Sequence, residues 1–170
     1  IMDFEIDPQL VRDALPELFP GYGISMTLPY LEPYLVRTMR AALKHCTDPV
    51  VAQEVRQFIG QEAQHFRQHA VLNDLIRSIS PELEGLREIE DQLEADYQRF
   101  TNTKSLKFNL AYAEGFEAAT FAGGRANFRN NVFDRLETIQ NTDLLRLFIW
   151  HALEEVEHST VTFNIYDHLY

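Results

Sequence analysis

The chain has 170 residues, of which 45% are hydrophobic, and it carries a formal net charge of -11 at pH 7. This length and composition predict one domain over residues 1–170 with a sizeable core, and the negative charge argues against a nucleic-acid partner or an anionic membrane surface. The single cysteine excludes an internal disulfide, and no apolar run reaches the length of a membrane span, so we expect a cytoplasmic protein.

Capping residues followed by proline mark three helix starts along the chain. In each pair the side chain can accept a hydrogen bond from the first turn, and proline takes the first helical position, where its missing N–H is not needed. The pairs are Asp7-Pro8, Asp48-Pro49 and Ser80-Pro81. The second pair begins a long helical pattern that extends to about Ile79.

The second half of the chain also contains residues that predict where helices start and stop. We expect a helix that begins near Ser105 and stops at Gly123-Gly124, because glycine commonly ends helices. Asn141 or Thr142 begins a last helix that runs to about Leu169. This helix has no stop signal before the chain ends, which is typical of a piece of a longer protein. Alternating strand patterns are scarce, so the sequence predicts an all-α fold.

Four predicted helices carry a stripe of residues spaced alternately by three and four, the face that a helix turns toward its bundle partners. Each stripe is largely apolar but contains a glutamate, so four helices each direct a carboxylate into the bundle. In chain order the stripes are Leu28, Glu32, Leu35, Met39, Ala42; Val51, Val55, Phe58, Glu62, His65, His69, Leu72, Ile76; Leu106, Leu110, Ala113, Glu117, Thr120; and Leu144, Phe148, His151, Glu155, His158, Thr162, Ile165, Leu169.

Four ionised carboxylates in a core need compensation, because one such isolated group costs more than the roughly 5 to 15 kcal/mol by which a small domain is stable. No lysine or arginine lies on the stripes. Two divalent cations would balance four negative charges, and neutral imidazoles can fill the remaining coordination positions. The sequence therefore predicts two transition-metal ions bound by histidine and carboxylate, with iron preferred and manganese or zinc as alternatives.

Two Glu-x-x-His pairs lie in the middle of the two longest stripes: Glu62 with His65, and Glu155 with His158. Positions three apart can reach one metal from the same helix face. One such pair is common by chance. Two of them, with one inward glutamate on each of two other helices, form the di-iron or di-manganese carboxylate pattern of ferritin-like bundles. The predicted architecture is therefore a ferritin-like four-helix bundle with extra helices.

Some of the glutamates keep a second interpretation. Glu117 and Glu114 lie on neighbouring stripes of the same helix, and we prefer Glu117 as the ligand. Glu32 precedes Pro33, so it could instead be an acidic residue that interacts favourably with a helix N-terminus. Glu154 and Glu157 lie off the stripe of the last helix, and we expect both to be solvated.

The chain also resembles known families. The segments FIGQEAQHFRQH, EAAT and WHALEEVEHSTVTFNIYDHLY resemble a bacterial family described as predicted metal-dependent hydrolases, and the fold pattern is similar to the ferritin-like superfamily. The resemblance covers Glu32 to about Tyr166. His151, one turn before Glu155, is similar to the third histidine on the last helix of the di-iron arylamine N-oxygenases. The resemblance implies seven metal ligands, namely Glu32, Glu62, His65, Glu117, His151, Glu155 and His158.

Two residues depart from the N-oxygenase pattern, so the similarity does not identify a substrate. His69 lies one turn past His65, and Glu114 lies beside Glu117 on the same helix. We expect both to support the ligands rather than bind metal directly. If His151 is not a ligand, it would be a supporting hydrogen-bond donor of the same kind.

These patterns predict a di-metal enzyme that acts on a small-molecule substrate, with two chemistries open. In the first, which we favour, two iron ions activate O2 to oxidise the substrate, with a reductase as electron donor. In the second, paired metals activate a water that hydrolyses an ester or a phosphate. A third class, a non-catalytic metal-binding or iron-storage bundle, would require a shell-forming assembly for storage. A homodimer is also compatible with the sequence.

Overall fold

The computed structural model describes residues 4–79 and 81–170, and every regular element in these ranges is helical. The predicted all-α fold is confirmed. The α-helices are α1 Pro8–Asp13, α2 Leu15–Ser25, α3 Leu28–Leu43, α4 Pro49–Ile79, α5 Leu86–Thr103, α6 Leu106–Arg129, α7 Asp143–Glu157 and α8 Val161–Leu169. Three short 3-10 helices span Pro81–Gly85, Phe133–Arg135 and Glu137–Ile139. Across the described ranges, none of the helices combines the length and apolar character needed to cross a membrane.

The predicted capping residues act as expected. Asp7 and Asp48 accept hydrogen bonds from the backbone N–H two residues later, at 2.8 Å and 2.7 Å, and each is followed by proline. Ser105 and Thr142 accept from the N–H three residues later and begin α6 and α7. The predicted cap Ser80 lies outside the described residues.

The predicted stop of α6 at Gly123-Gly124 is wrong. The helix continues to Arg129 and ends just before Asn131, whose φ of 51° lies in the left-handed region. Gly124 instead allows a close approach between helices, because a Cβ atom built there would lie 3.2 Å from the carbonyl oxygen of Ala152 on α7. The glycine is thus required by packing, which a single helix pattern does not show.

The predicted uninterrupted last helix is also wrong. Helix α7 ends at Glu157 and α8 begins at Val161, with His158 at φ -100° and ψ 15° between them. The residues around the break, 159–162, are serine, threonine, valine and threonine, which are weaker helix formers than leucine or glutamate. Because Thr162 and Ile165 are both buried, the predicted stripe nevertheless continues across the break.

Two hydrophobic clusters lie on either side of the polar stripe residues. One joins α1, α2, the C-terminal part of α4 and the first half of α7, and the other joins α3, the N-terminal part of α4, α5, α6 and α8. Along α4, Phe58 belongs to one cluster and Leu72 to the other. The buried residues Glu62, His65 and His69 lie between them, so an ionisable layer separates two apolar cores.

Candidate metal centre

All seven predicted ligands are buried, and the contacts described below bring them into one cluster. Helix α3 supplies one glutamate, α4 a glutamate and a histidine, α6 one glutamate, and α7 a histidine and a glutamate, while the last histidine is the residue that ends α7. They are Glu32, Glu62, His65, Glu117, His151, Glu155 and His158.

Glu155 lies at the middle of the cluster. Its Oε1 atom is 2.9 Å from Nε2 of His151, 3.7 Å from Nδ1 of His65 and 3.8 Å from Nε2 of His158. One carboxylate oxygen is therefore within 4 Å of three imidazoles that come from two different helices and the α7 terminus. Such a position suits a carboxylate that would bind a cation together with these imidazoles.

The other three glutamates each contact a histidine. His158 has Nε2 3.0 Å from Glu62 Oε1 and Nδ1 3.0 Å from Glu117 Oε2. Nδ1 of His65 is 3.6 Å from Glu62 Oε1, and Nε2 of His151 is 3.6 Å from Glu32 Oε1. Among the described ion pairs, histidines are the basic partners of these four glutamates, and lysine and arginine contribute none.

Two groups of donors have spacings compatible with a bound ion. One consists of Glu62, His65, Glu155 and His158, the other of Glu32, His65 and His151, and within each group the donor atoms lie within 4.8 Å of one another. Transition metals bind nitrogen and oxygen ligands at about 2.0–2.2 Å, so a cation placed between such donors can contact several of them. The Glu-x-x-His residues predicted from the sequence form the first group.

Buried polar atoms without a hydrogen-bond partner concentrate in this cluster. Buried polar groups are normally hydrogen-bonded, so such atoms indicate a missing partner, and oxygens and nitrogens that lie close together fit a cation. Within the cluster they are both carboxylate oxygens of Glu32 and Glu62, one oxygen each of Glu117 and Glu155, Nδ1 of His65 and both ring nitrogens of His158. Elsewhere in the described chain they are Nε and Nη2 of Arg37 and Nε of Arg77.

The pKa values of two glutamates also indicate that the metal-free cluster lacks positive charge. Burial, followed by repulsion from the neighbouring carboxylates of Glu62, Glu155 and Glu117, raises the pKa of Glu32 well above its usual value. Burial also raises the pKa of Glu117 to about 8, although contact with His158 opposes the shift. Without a cation, Glu117 therefore retains its proton at neutral pH, and burial among carboxylates favours the protonated form of Glu32.

Contacts between carboxylates and imidazoles lower the pKa of Glu62 and raise the pKa values of His65 and His158. Burial by itself would raise the pKa of Glu62, but contacts with His158 and His65 outweigh it and lower the pKa to about 2. Burial by itself would lower the histidine values, but carboxylate contacts raise the pKa of His65 to about 9 and that of His158 to about 11. In the metal-free protein, protons therefore occupy sites that a metal would take.

Glu154 is not solvated as predicted. It is half-buried, and its Oε2 atom accepts a hydrogen bond of 2.8 Å from His65 Nε2, while Oε1 accepts one of 2.9 Å from Trp150 Nε1. With Nε2 donating to Glu154, His65 turns Nδ1 toward Glu62 and Glu155. A metal-binding imidazole commonly donates its other N–H to a carboxylate in this way. By contrast, Glu157 is exposed, as predicted, and accepts a hydrogen bond from Gln61.

His69 supports His151 through a buried hydrogen-bond chain. Asn73 donates through Nδ2 to the backbone carbonyl of Ser25, so its Oδ1 accepts the proton of the Ser25 hydroxyl at 2.7 Å. The Ser25 oxygen must then accept from Nδ1 of His69 at 2.8 Å. Sequence reasoning singled out His69 but missed Ser25 and Asn73, which are ordinary polar residues near the end of α2 and on α4.

This chain determines which nitrogen of His151 faces the centre. Burial, and then the proximity of His151 and His65, lowers the pKa of His69 well below its usual value, so its ring is neutral with one N–H. Since Nδ1 carries that hydrogen, Nε2 of His69 accepts from Nδ1 of His151 at 2.7 Å. Nε2 of His151 is thereby directed at the cluster, where it lies 2.9 Å from Glu155 Oε1, and this nitrogen would be the one available to a cation.

Of the two alternatives on α6, Glu117 is the one that faces the cluster. Glu117 is 1% exposed and contacts His158. Glu114 is half-buried and accepts a hydrogen bond of 2.6 Å from the hydroxyl of Thr162 on α8, so it joins α6 to α8.

Comparison with known proteins identifies one family. The family model described as predicted metal-dependent hydrolase matches residues 21–170. No curated protein and no solved structure matches the chain. The family description favours the hydrolytic chemistry over the oxidative one that we preferred from the sequence. The similarity to the arylamine N-oxygenases and to the ferritin-like superfamily stays a prediction.

Proposed function

The chain belongs to the family of predicted metal-dependent hydrolases, and from this premise we propose that it hydrolyses a small organic substrate at the buried Glu/His cluster. The observation that carries the proposal is the set of buried oxygens and nitrogens, supplied by four helices, that lack hydrogen-bond partners, together with two groups of donor atoms that lie within 4.8 Å of one another. Such a set fits divalent cations better than it fits a purely structural polar network.

We assign two metal ions to the cluster. Glu62, His65, Glu155 and His158 would hold one, with Glu117 beside them, and Glu32 and His151 would hold the second. Two ions compensate four carboxylates, a charge balance that the described lysines and arginines do not supply. Nitrogen and oxygen donors suit iron, manganese and zinc alike, so the metal is identified by analysis rather than by ligand type.

Divalent ions bound there would supply Lewis acidity and lower the pKa of a bound water. The protein supplies the orientation of the ligands and apolar surroundings. Glu154 holds the ring of His65, and the chain from Asn73 through Ser25 and His69 holds that of His151. The two apolar clusters on either side of the ionisable layer lower the local dielectric constant, which strengthens electrostatic interactions inside.

The direct test is hydrolysis with defined metals. We expect protein loaded with Zn(II), Mn(II) or anaerobic Fe(II) to hydrolyse phenyl acetate or phenyl phosphate, and Glu155→Gln to lose at least about 100-fold in rate because it removes the central carboxylate. The matched control is Glu157→Gln, an exposed glutamate two residues away, which should keep wild-type rates. Initial rates with each metal, measured after chelator treatment and reloading, decide the outcome.

Oxygen activation by a ferritin-like di-iron bundle is the second candidate. It is favoured by His151, which adds a third histidine to a pair of Glu-x-x-His motifs and lies against Glu32 and Glu155. If this candidate is correct, anaerobic Fe(II) protein mixed with O2 will develop transient visible absorption and consume O2. A protein that shows this signal and no hydrolysis with any of the three metals would replace the hydrolase proposal.

The hydrogen-bond chain behind His151 gives a separate prediction. Ser25→Ala removes the acceptor for Nδ1 of His69, so His151 loses the fixed orientation of its ring. We expect metal affinity to fall about 10- to 100-fold, the usual effect of losing a partner behind a ligand. Ser78→Ala, at an exposed serine of α4, is the control. Competition titration against a chromogenic chelator measures the change, and equal affinities for Ser25→Ala and wild type would contradict the prediction.

A further inference from the structure

Two cavities reach the candidate centre between different helices. One, of about 620 Å³, is lined from α4, α7 and α8 and includes His158 and Glu154. The other, of about 340 Å³, is lined from α2, α3, α4, α6, the segment near Phe133 and α7, and includes His151 and Glu155. We call them the polar cavity and the apolar cavity. Their linings differ in polarity, so the two cavities suit different molecules.

The polar cavity is rich in carboxylates and amides. Besides His158 and Trp150, its lining includes three glutamates and three glutamines, namely Glu54, Glu154, Glu157, Gln57, Gln61 and Gln64. Such walls offer hydrogen bonds to water and attraction to cations. They offer less to a hydrophobic group than the walls of the apolar cavity do, and they repel an anion.

The apolar cavity is lined mostly by aliphatic, aromatic and small residues. Phe116 and Phe148 provide aromatic surface, while Gly123, Gly124 and Ala152 leave the space that larger side chains would fill. A volume of about 340 Å³ lies at the lower end of the range for small-molecule sites, roughly 300 to 1,000 Å³. It therefore suits a compact molecule with an aromatic or short aliphatic group.

The charges around the apolar cavity argue against an anionic occupant. Its described lining contains no lysine or arginine, and its ionisable residues are His69, His151 and Glu155. Two divalent ions would only balance the four glutamates, and the chain carries a net charge of -11. An anionic phosphoester would thus find no cationic side chain on the protein side of the cavity.

We propose that the apolar cavity binds the hydrophobic part of the substrate, and that the substrate is a neutral carboxylic ester with an aromatic or short aliphatic group rather than a phosphoester. This inference rests on the proposed hydrolytic function. In the reaction the acyl C–O bond breaks, the acyl carbon gains the oxygen of water, and the protons of that water pass to the leaving alkoxide and to solvent. No oxidant or further reactant is needed.

Gly123 offers a way to fill the cavity without disturbing the helices. It lines the apolar cavity on α6, and a Cβ atom added there meets nothing within 4 Å. Gly123→Leu should therefore fold, and leucine is also a better helix former than glycine. Two matched glycine controls have equally open surroundings: Gly60 lines the polar cavity, and Gly115 on α6 lines neither cavity.

The experiment compares phenyl acetate with phenyl phosphate, which share a ring but differ in charge. Saturation-transfer NMR on the metal-free protein measures binding, and hydrolysis by the metal-loaded protein measures KM. We expect phenyl acetate to bind, phenyl phosphate not to bind, and Gly123→Leu to weaken phenyl acetate binding at least tenfold. Gly60→Leu and Gly115→Leu should stay within twofold of wild type. Ala119→Leu, also on the cavity lining, repeats the test if Gly123→Leu does not fold.

The outcomes separate this inference from the proposed function. Phenyl acetate binding that Gly123→Leu blocks, without hydrolysis by any metal form, supports the apolar cavity as a binding site and rejects the hydrolase proposal. Hydrolysis with a KM unchanged in Gly123→Leu, or raised only in Gly60→Leu, overturns the assignment of the apolar cavity. Tighter binding of phenyl phosphate than of phenyl acetate overturns the substrate class.

Discussion

Metal-free protein saturated with Mn(II), or with Fe(II) under anaerobic conditions, should bind about two ions per chain and unfold at a clearly higher temperature. A ligand at 1,000 times its Kd adds about 4 kcal/mol of stability per site. Since 1 kcal/mol corresponds to about 2–4 °C in Tm for a chain of 150–250 residues, each filled site should raise Tm by on the order of 10 °C. The cause is that bound metal gives a partner to the buried carboxylate oxygens and histidine nitrogens around Glu155 that otherwise lack one.

Elemental analysis and calorimetry on the same samples measure both quantities. His158→Ala removes an imidazole that contacts Glu62, Glu117 and Glu155, so it should lose at least one ion and about half of the metal-dependent rise in Tm. His45→Ala, at an exposed histidine after α3, should behave like wild type. One ion or none per wild-type chain at saturation would contradict the two-metal assignment.

The pH dependence of stability should have opposite signs in the metal-free and metal-loaded protein. In the metal-free protein the pKa of Glu117 rises from its usual 4.5 to about 8, so its favourable contribution is complete below pH 4.5 and is lost as the pH rises through 8. The raised pKa values of His65, about 9, and His158, about 11, act in the same direction above pH 6.5. A tenfold change in a proton-binding constant on folding corresponds to roughly 1.4 kcal/mol of stability.

Glu62 sets the acid side of this profile. Its pKa is lowered to about 2, so its contribution is present above pH 4.5 and is lost as the pH falls toward 2. We therefore expect the metal-free protein to be most stable near pH 4.5 and to lose several kcal/mol by pH 9. Metal binding displaces protons, so the metal-dependent rise in Tm should grow over the same interval.

Thermal unfolding from pH 5 to 9, with chelator and with metal, tests this reversal. Glu117→Gln cannot ionise, so the metal-free protein should lose part of its pH dependence, whereas Glu114→Gln on the same helix should keep it. Parallel pH profiles for the metal-free and metal-loaded samples would show that metal does not bind at these groups.

The amino-acid sequence was sufficient to predict the inward face of each helix. Burial repeats with the helical period, so Glu32, Glu62, Glu117 and Glu155 could be placed inside from residue spacing alone, and the two Glu-x-x-His pairs followed from one turn of local geometry. The capping residues Asp7, Asp48, Ser105 and Thr142 were predictable for the same reason, because a cap interacts with backbone groups only two or three residues away.

Contacts between distant residues were decided only by the tertiary structure. The bond from His65 to Glu154 spans 89 positions, and the bonds from Ser25 to His69 and from His69 to His151 span 44 and 82. Their formation depends on the axial shift and crossing of packed helices, which a single helix pattern does not specify. Gly124, read as a helix stop, faces Ala152 for the same reason, and the apolar cavity exists only where several helices leave space between them.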